Sequence, residues 1–150
     1  DAFEDIVTRA RNYQPDANLL GIQVQEMADL DSGTETIVGM NRDPQFGPLM
    51  MFGLGGIFVE VLEDTTFRVA PVSENEAREM TEEIKTAPLL RGARGRDPAD
   101  VDGIIETIQR LSQLVADFPA IMEFDINPLV ATPDGVDAVD IRLTVDPEQL

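Results

Sequence analysis

The stretch from Ile121 to Val145 constrains the fold most. Thr132-Pro133-Asp134-Gly135 is a turn sequence flanked on both sides by residues that favour extended backbone. It joins a strand running from about Ile121 to Ala131 to a returning strand from Val136 to Val145. Just upstream, Val101, Ile104, Ile105, Ile108, Leu111, Val115 and Phe118 recur at helical spacing, and Pro119 ends that run. Asp97 and Pro98 are placed to cap the helix and to open its first turn. An apolar helix stripe feeding directly into a hairpin must bury itself against the hairpin's apolar face. The expectation is an α+β domain with a mainly antiparallel sheet and about three helices.

The rest of the chain fits that class. Phe3, Ile6, Val7 and Ala10 share a helical face, with Pro15 closing the segment. Leu19–Met27 reads as a strand and Thr34–Met40 as its hairpin partner across an Asp31-Ser32-Gly33 turn. Leu49–Phe52, Ile57–Leu62 and Thr66–Ala70 read as further extended segments, the last two joined around Glu63-Asp64-Thr65. Ser73 and Glu76 form a capping box before a helix that presents Ala77, Met80 and Ile84 and stops at Pro88. No internal repeat or linker divides the chain, so we expect one domain over residues 1–150. The chain opens inside a helical pattern, as a piece of a longer protein would.

Composition narrows the chemistry. The 150 residues include 29 acids and 11 bases, for a net charge of −18, with no Cys and no His. Disulfides, thiolate metal sites and thiol nucleophiles are excluded, and so is an imidazole base from this chain. A metal here needs oxygen ligands, which favours magnesium, calcium or manganese. No apolar run is long enough to span a bilayer, and the charge disfavours nucleic acid and anionic membranes. The expected setting is cytoplasmic. Lys85 is the sole lysine against ten arginines, and an acid excess with so little lysine fits a halophile, where salt screens self-repulsion.

Candidate chemistry concentrates on the hairpin. In Glu123-Phe124-Asp125-Ile126-Asn127-Pro128, strand alternation sends Glu123, Asp125 and Asn127 to one face. With the turn centred between Pro133 and Asp134, Asn127 lies directly across from Asp140. Facing side chains there sit ~4.5–5.5 Å apart at Cβ, close enough to share one cation. A solvated acidic face is the alternative. Gly53-Leu54-Gly55-Gly56 allows close backbone approach to a ligand or simply a tight connection; it is neither a Walker loop nor a dinucleotide fingerprint. Glu26 closes the first expected strand and Glu35 lies just past the turn that follows, a hairpin edge that can read an adenine and a ribose or is simply a polar hairpin. Arg91, Arg94 and Arg96 form a cationic cluster suited to a phosphate or a neighbouring subunit.

Several ordered motifs resemble one family. Gly21-Ile22-Gln23-Val24-Gln25-Glu26-Met27 resembles the strand entering the adenine hinge of ATP-grasp enzymes. The run from Glu35 through Asn41-Arg42-Asp43-Pro44-Gln45-Phe46-Gly47-Pro48 is similar to the ADP-forming acyl-CoA synthetases. So are Met51-Phe52-Gly53-Leu54-Gly55-Gly56-Ile57 and Asp125-Ile126-Asn127-Pro128-Leu129. The resemblance is to the β-type, nucleotide-binding region of the acetate–CoA ligases. It implies ATP/ADP and Mg2+ as cofactors, with Asn127 and Asp140 as magnesium ligands and Asp125 as their acidic neighbour. It implies Glu26 and Met27 at the adenine, Glu35 at the ribose, and Gly53, Gly55 and Gly56 near the phosphates.

The reaction implied interconverts acyl-CoA, ADP and phosphate with acid, CoA and ATP, through a phosphohistidine carried elsewhere. The family's first lobe, with its ATP-binding Lys and mobile His loop, and its CoA-binding α-type domains are the implied partners in an oligomeric enzyme. This chain then supplies the second ATP-grasp lobe and no catalytic residue of its own, and alone it should be inactive. A succinyl-CoA synthetase-like ligase and a non-catalytic acidic module that binds a cation or a partner are the alternatives.

Overall fold

The fold is described from a computed structural model covering all residues except 29, 31, 32, 57–62, 96 and 150, with the side chains of 94 and 149 also left aside. After a first helix, α1 (Ala2–Tyr13), come strands β1 (Thr34–Asp43), β2 (Gly47–Leu54) and β3 (Thr65–Val69). Helices α2 (Glu74–Glu83), α3 (Ala87–Leu90) and α4 (Val101–Asp117) follow, then β4 (Ile121–Thr132), β5 (Gly135–Ala138) and β6 (Ile141–Val145). All pairings are antiparallel, in the order β3-β2-β1-β4-β5, and β6 also pairs with β4. The α+β expectation is met.

The alternating pattern of the strands sorts the sheet into two faces. Val38, Met40, Met50, Phe52, Phe124 and Ile126 are buried with Ala77 and Met80 of α2 and Ile104, Ile108 and Val115 of α4. Burial of each large side chain of this core contributes about 1.5–3 kcal/mol. The opposite face displays Gly39, Asn41, Met51, Phe67, Glu123, Asp125 and Arg142 around a groove.

Local signals set the helix ends where tertiary contacts agree with them. Ser73 and Glu76 form the expected capping box, each side chain bonding the other's backbone amide. α2 ends at Glu83, however, short of Pro88. The buried Asp64 carboxylate accepts the amides of Lys85 and Thr86, both at 2.8 Å, and the Thr86 hydroxyl at 2.5 Å, which draws the chain out of the helix. Pro88 then falls in the first turn of α3. The long helix starts at Val101, not at Pro98, because Asp100 is its cap: its carboxylate accepts the Gly103 amide at 2.9 Å. The Ala99 and Asp100 amides are engaged by Leu90 and Thr132 carbonyls, holding residues 99–100 outside the helix.

The first expected hairpin is a correction. Leu19–Met27 has no strand structure and joins no ladder among the described residues, and Leu20, Val24 and Met27 are over 90% exposed. The reason is the topology: β2 occupies one edge of β1 and β4 the other, so no edge of Thr34–Met40 is left for it. The expected Ile57–Leu62 strand, and Asp31 and Ser32 of the expected turn, lie outside the described residues. Among the described residues, no helix is long and apolar enough to cross a membrane.

Candidate nucleotide and cation site

The hairpin expected from Thr132–Gly135 forms with the expected register. Thr132 faces Gly135, Ala131 faces Val136, and Leu129 faces Ala138. The same register continues into β6, where Ile126 faces Ile141, Asp125 faces Arg142 and Glu123 faces Thr144. Between the two stretches the Asn127 amide donates to the Asp140 carbonyl at 3.1 Å, and the Val139 amide donates to the Pro128 carbonyl at 3.1 Å. Asn127 therefore lies directly across from Asp140.

Toward β1 the ladder slips by one residue. Thr36 faces Leu129 but Val38 faces Ile126, so Asn127 and Pro128 together oppose one β1 residue. Such a bulge re-aims side chains and interrupts pairing, a common device beside functional sites. It occurs at the two residues that begin the Asn-Pro-Leu motif. The Asn127 and Asp140 side chains are both exposed, while Asp125 is half-buried and faces the groove above Gly39.

Electrostatics differ along this row. Burial pushes the Asp125 carboxyl above the usual carboxylate range; Arg142 opposes that shift, and Glu123 and Asp140 add to it. A half-buried carboxylate with two acidic neighbours is a good receptor for a cation, because a positive charge relieves the burial and the repulsion together. The donor set of two carboxylates and an amide oxygen is hard, and suits magnesium or calcium rather than zinc. Among the described residues no three acidic side chains gather into a complete metal cage. The set fits an ion that keeps most of its waters or takes phosphate oxygens, with one or two protein ligands.

The glycine segment is brought to the other expected residue. Gly53 faces Ile37, one pair before β2's ladder with β1 ends at Leu54 and Thr36, and the Gly55 amide donates to the Glu35 carbonyl at 2.8 Å. A Cβ on Gly55 would stand 3.1 Å from the Glu35 Cβ, and one on Gly53 would stand 2.9 Å from the Asp64 carbonyl. The two glycines thus let β2 leave the sheet against Glu35 and Asp64. Gly56 is exposed with φ +64°, a turn position that suits glycine. Glu26 and Met27, in contrast, lie in the exposed unpaired segment and join none of these ladders. Arg91 makes a long 3.7 Å pair with Glu82, the Arg94 side chain is not described, and Arg96 lies outside the described residues.

Sequence reasoning missed Arg142, Asn41 and Gly39, all of which line the groove of about 460 Å³ beside Asp125. The alternation that marks Asp140 also marks Arg142 two residues on, so that signal was present. Gly39 and Asn41 come to the site only through β1's pairing with β4.

The chain resembles known proteins in sequence and in fold. Residues 1–145 match the ATP-grasp domain family. The chain is 50% identical over 143 residues to the β subunit of acetate–CoA ligase [ADP-forming] I of Pyrococcus furiosus, covering 95% of this chain and 61% of that relative. Acetyl-coenzyme A synthetase 1 of Ca. Korarchaeum cryptofilum, solved with coenzyme A, acetyl-coenzyme A and a phosphorylated phosphohistidine segment, superposes with a TM-score of 0.87 at 43% identity, covering 96% of this chain and 63% of that one. A second structure of that protein holds coenzyme A and Mg-AMPPCP, with the phosphohistidine segment pointing towards the nucleotide-binding site. It gives a TM-score of 0.73 at 46% identity over 75% of this chain and 53% of that one. The chain spans about three fifths of the length of that Pyrococcus furiosus subunit and about a fifth of longer relatives such as acetate–CoA ligase [ADP-forming] I of Archaeoglobus fulgidus, and by its sequence and its sheet it belongs to the ATP-grasp domain family.

Proposed function

We propose that this chain is the second ATP-grasp lobe of an ADP-forming acyl-CoA synthetase of the acetate–CoA ligase type. It holds one side of the nucleotide and its magnesium while acyl-CoA, ADP and phosphate are interconverted with acid, CoA and ATP. The observation that carries this reading is the continuous register between β4 and the returning chain, which sets Asn127 across from Asp140 next to Asp125. A metal bound there neutralises nucleotide phosphates. Asn127 offers an amide oxygen and Asp140 a carboxylate, and Asp125 adds charge from the groove side. Glu35, Gly53, Gly55 and Gly56 lie toward the ribose and phosphates, and Glu26 and Met27 toward the adenine. The phosphohistidine, the first lobe and the CoA-binding domains come from other parts of the enzyme. Positioning and charge neutralisation supply most of phosphoryl-transfer catalysis, so residues 1–150 alone are expected to make no ATP from acyl-CoA.

The test is made in the complete enzyme. Asp140→Ala is expected to reduce turnover by about 3 kcal/mol of transition-state stabilisation, the scale of one lost preorganised electrostatic contact. Asp134→Ala, equally acidic but in the turn, should change little. Equal loss in the two variants refutes the metal assignment. Calorimetric titration of the wild type with ADP, with and without magnesium, separates the ligase lobe from a general acidic module, because only the lobe requires both together.

A further inference from the structure

β4 is held at both of its ends. At the far end the Thr132–Gly135 turn fixes Asn127 across from Asp140. At the near end the chain passes from α4 into β4 through residues 118–120. The Phe118 amide donates to the Leu114 carbonyl at 2.9 Å as the last helical turn closes. The next carbonyl belongs to Val115, which is completely buried. Its helical donor would be residue 119, a proline without an N–H. The Arg42 guanidinium supplies the missing donor. Its Nη2 donates to the Val115 carbonyl at 3.0 Å and its Nε to the Ile121 carbonyl at 3.1 Å. Its positive charge also meets the negative end of the α4 dipole.

Arg42 stands one residue past Asn41, whose pairing with Glu123 ends the β1–β4 ladder. The guanidinium therefore continues, by side chain, a pairing that the two backbones have stopped making. It does so on the helix side of the sheet, while Gly39 and Asn41 of the same strand line the groove with Glu123 and Asp125. The joint carries β6 as well, since the Asp146 amide donates to the Ala120 carbonyl at 2.8 Å. One clamp thus sets how both strands enter the sheet, and Asp125 lies between that clamp and the turn. Resting on the function proposed above, we propose that Arg42 is a positioning residue of the cation site. By holding the α4–β4 joint it fixes where Asp125 stands beside Asn127 and Asp140. In this role Arg42 touches neither the cation nor the nucleotide. A lysine keeps the charge at the helix end but lacks the planar fork that spans two carbonyls.

The experiment is calorimetric titration of the complete enzyme. Arg42→Gln should raise the Kd for Mg-ADP by about tenfold, the lower end of the loss when a group supporting a metal site from outside its ligands is removed. Adenosine carries no phosphate and takes no metal, and its Kd should stay within about twofold, because the nucleoside contacts lie away from the joint. Arg42→Lys should fall between the wild type and Arg42→Gln. Ser112→Ala is the control. The Ser112 hydroxyl accepts the Val72 amide at 2.9 Å, so this change disturbs α4 without touching the joint, and the Kd for Mg-ADP should stay that of the wild type. An unchanged Kd for Mg-ADP in Arg42→Gln overturns the proposal. So does an equal rise for adenosine, or an equal rise in Ser112→Ala, since either would make Arg42 a general prop of the fold. If Arg42→Gln does not fold, Arg42→Lys decides, and a wild-type Kd for Mg-ADP there overturns the proposal. A wild-type enzyme whose ADP affinity is independent of magnesium would instead defeat the function proposed above, and this inference with it.

Discussion

Residues 1–30 and residues 33–145 contain similar apolar residue types and put them to different use. In the first region α1 has a capped N-terminus and an apolar face, yet none of its residues is buried. Phe3 and Ile6 are half exposed, and Leu20, Val24 and Met27 almost fully so. In the second region Val38, Met50, Phe52, Met80, Ile104 and Ile108 are completely buried. The difference is one of neighbours, since both regions have suitable periodicity. Periodicity decides which face an element would bury, but only an unoccupied sheet edge or an opposing helix allows it to do so.

The largest expected contrast lies between matched truncations in the two regions. Phe52→Ala removes a fully buried ring and should destabilise the chain by about 3–5 kcal/mol, whereas Leu20→Ala should stay within about 0.5 kcal/mol. Urea unfolding of both variants measures this. A comparable loss for Leu20 would mean that the first region packs on the second in solution.

Asp64 sharpens the comparison within the ordered region. Burial alone would raise its carboxyl, but the Thr86 hydroxyl and the Lys85 and Thr86 amides hold it below the ordinary range. A carboxyl lowered by folding adds stability above its unfolded pKa, and that stability is lost as pH falls through the folded value. The melting midpoint should therefore drop below about pH 4 more steeply in the wild type than in Asp64→Asn. At neutral pH, Asp64→Ala leaves three donors without their acceptor and should cost about 3 kcal/mol. An acid profile unchanged by Asp64→Asn would show that other carboxyls govern acid unfolding.

The smallest effect concerns the whole surface. With a net charge of −18, self-repulsion should be relieved by salt, and the melting midpoint should rise between about 0.1 M and about 2 M KCl. A flat or falling midpoint would remove the halophilic reading, and would leave the fold and the family unaffected.

What the sequence determined by itself was local. The Thr132–Gly135 turn sets its own register, because a short hairpin leaves little freedom in pairing, and that register alone places Asn127 across from Asp140. The Ser73–Glu76 capping box and the α4 stripe were equally legible, since each depends on residues within a few positions of one another. Only the tertiary structure decided which strands share an edge. It gave both edges of β1 to β2 and β4, leaving Leu19–Met27 outside the described ladders, and it moved the cap of α4 to Asp100 through contacts with Leu90 and Thr132. It also brought Gly39, Met51 and Phe67 beside Asp125 and Arg142. The pairing that joins them, Gly39 of β1 with Asp125 of β4, links strands far apart in the chain, and no short-range pattern encodes a pairing whose partner is far away in sequence.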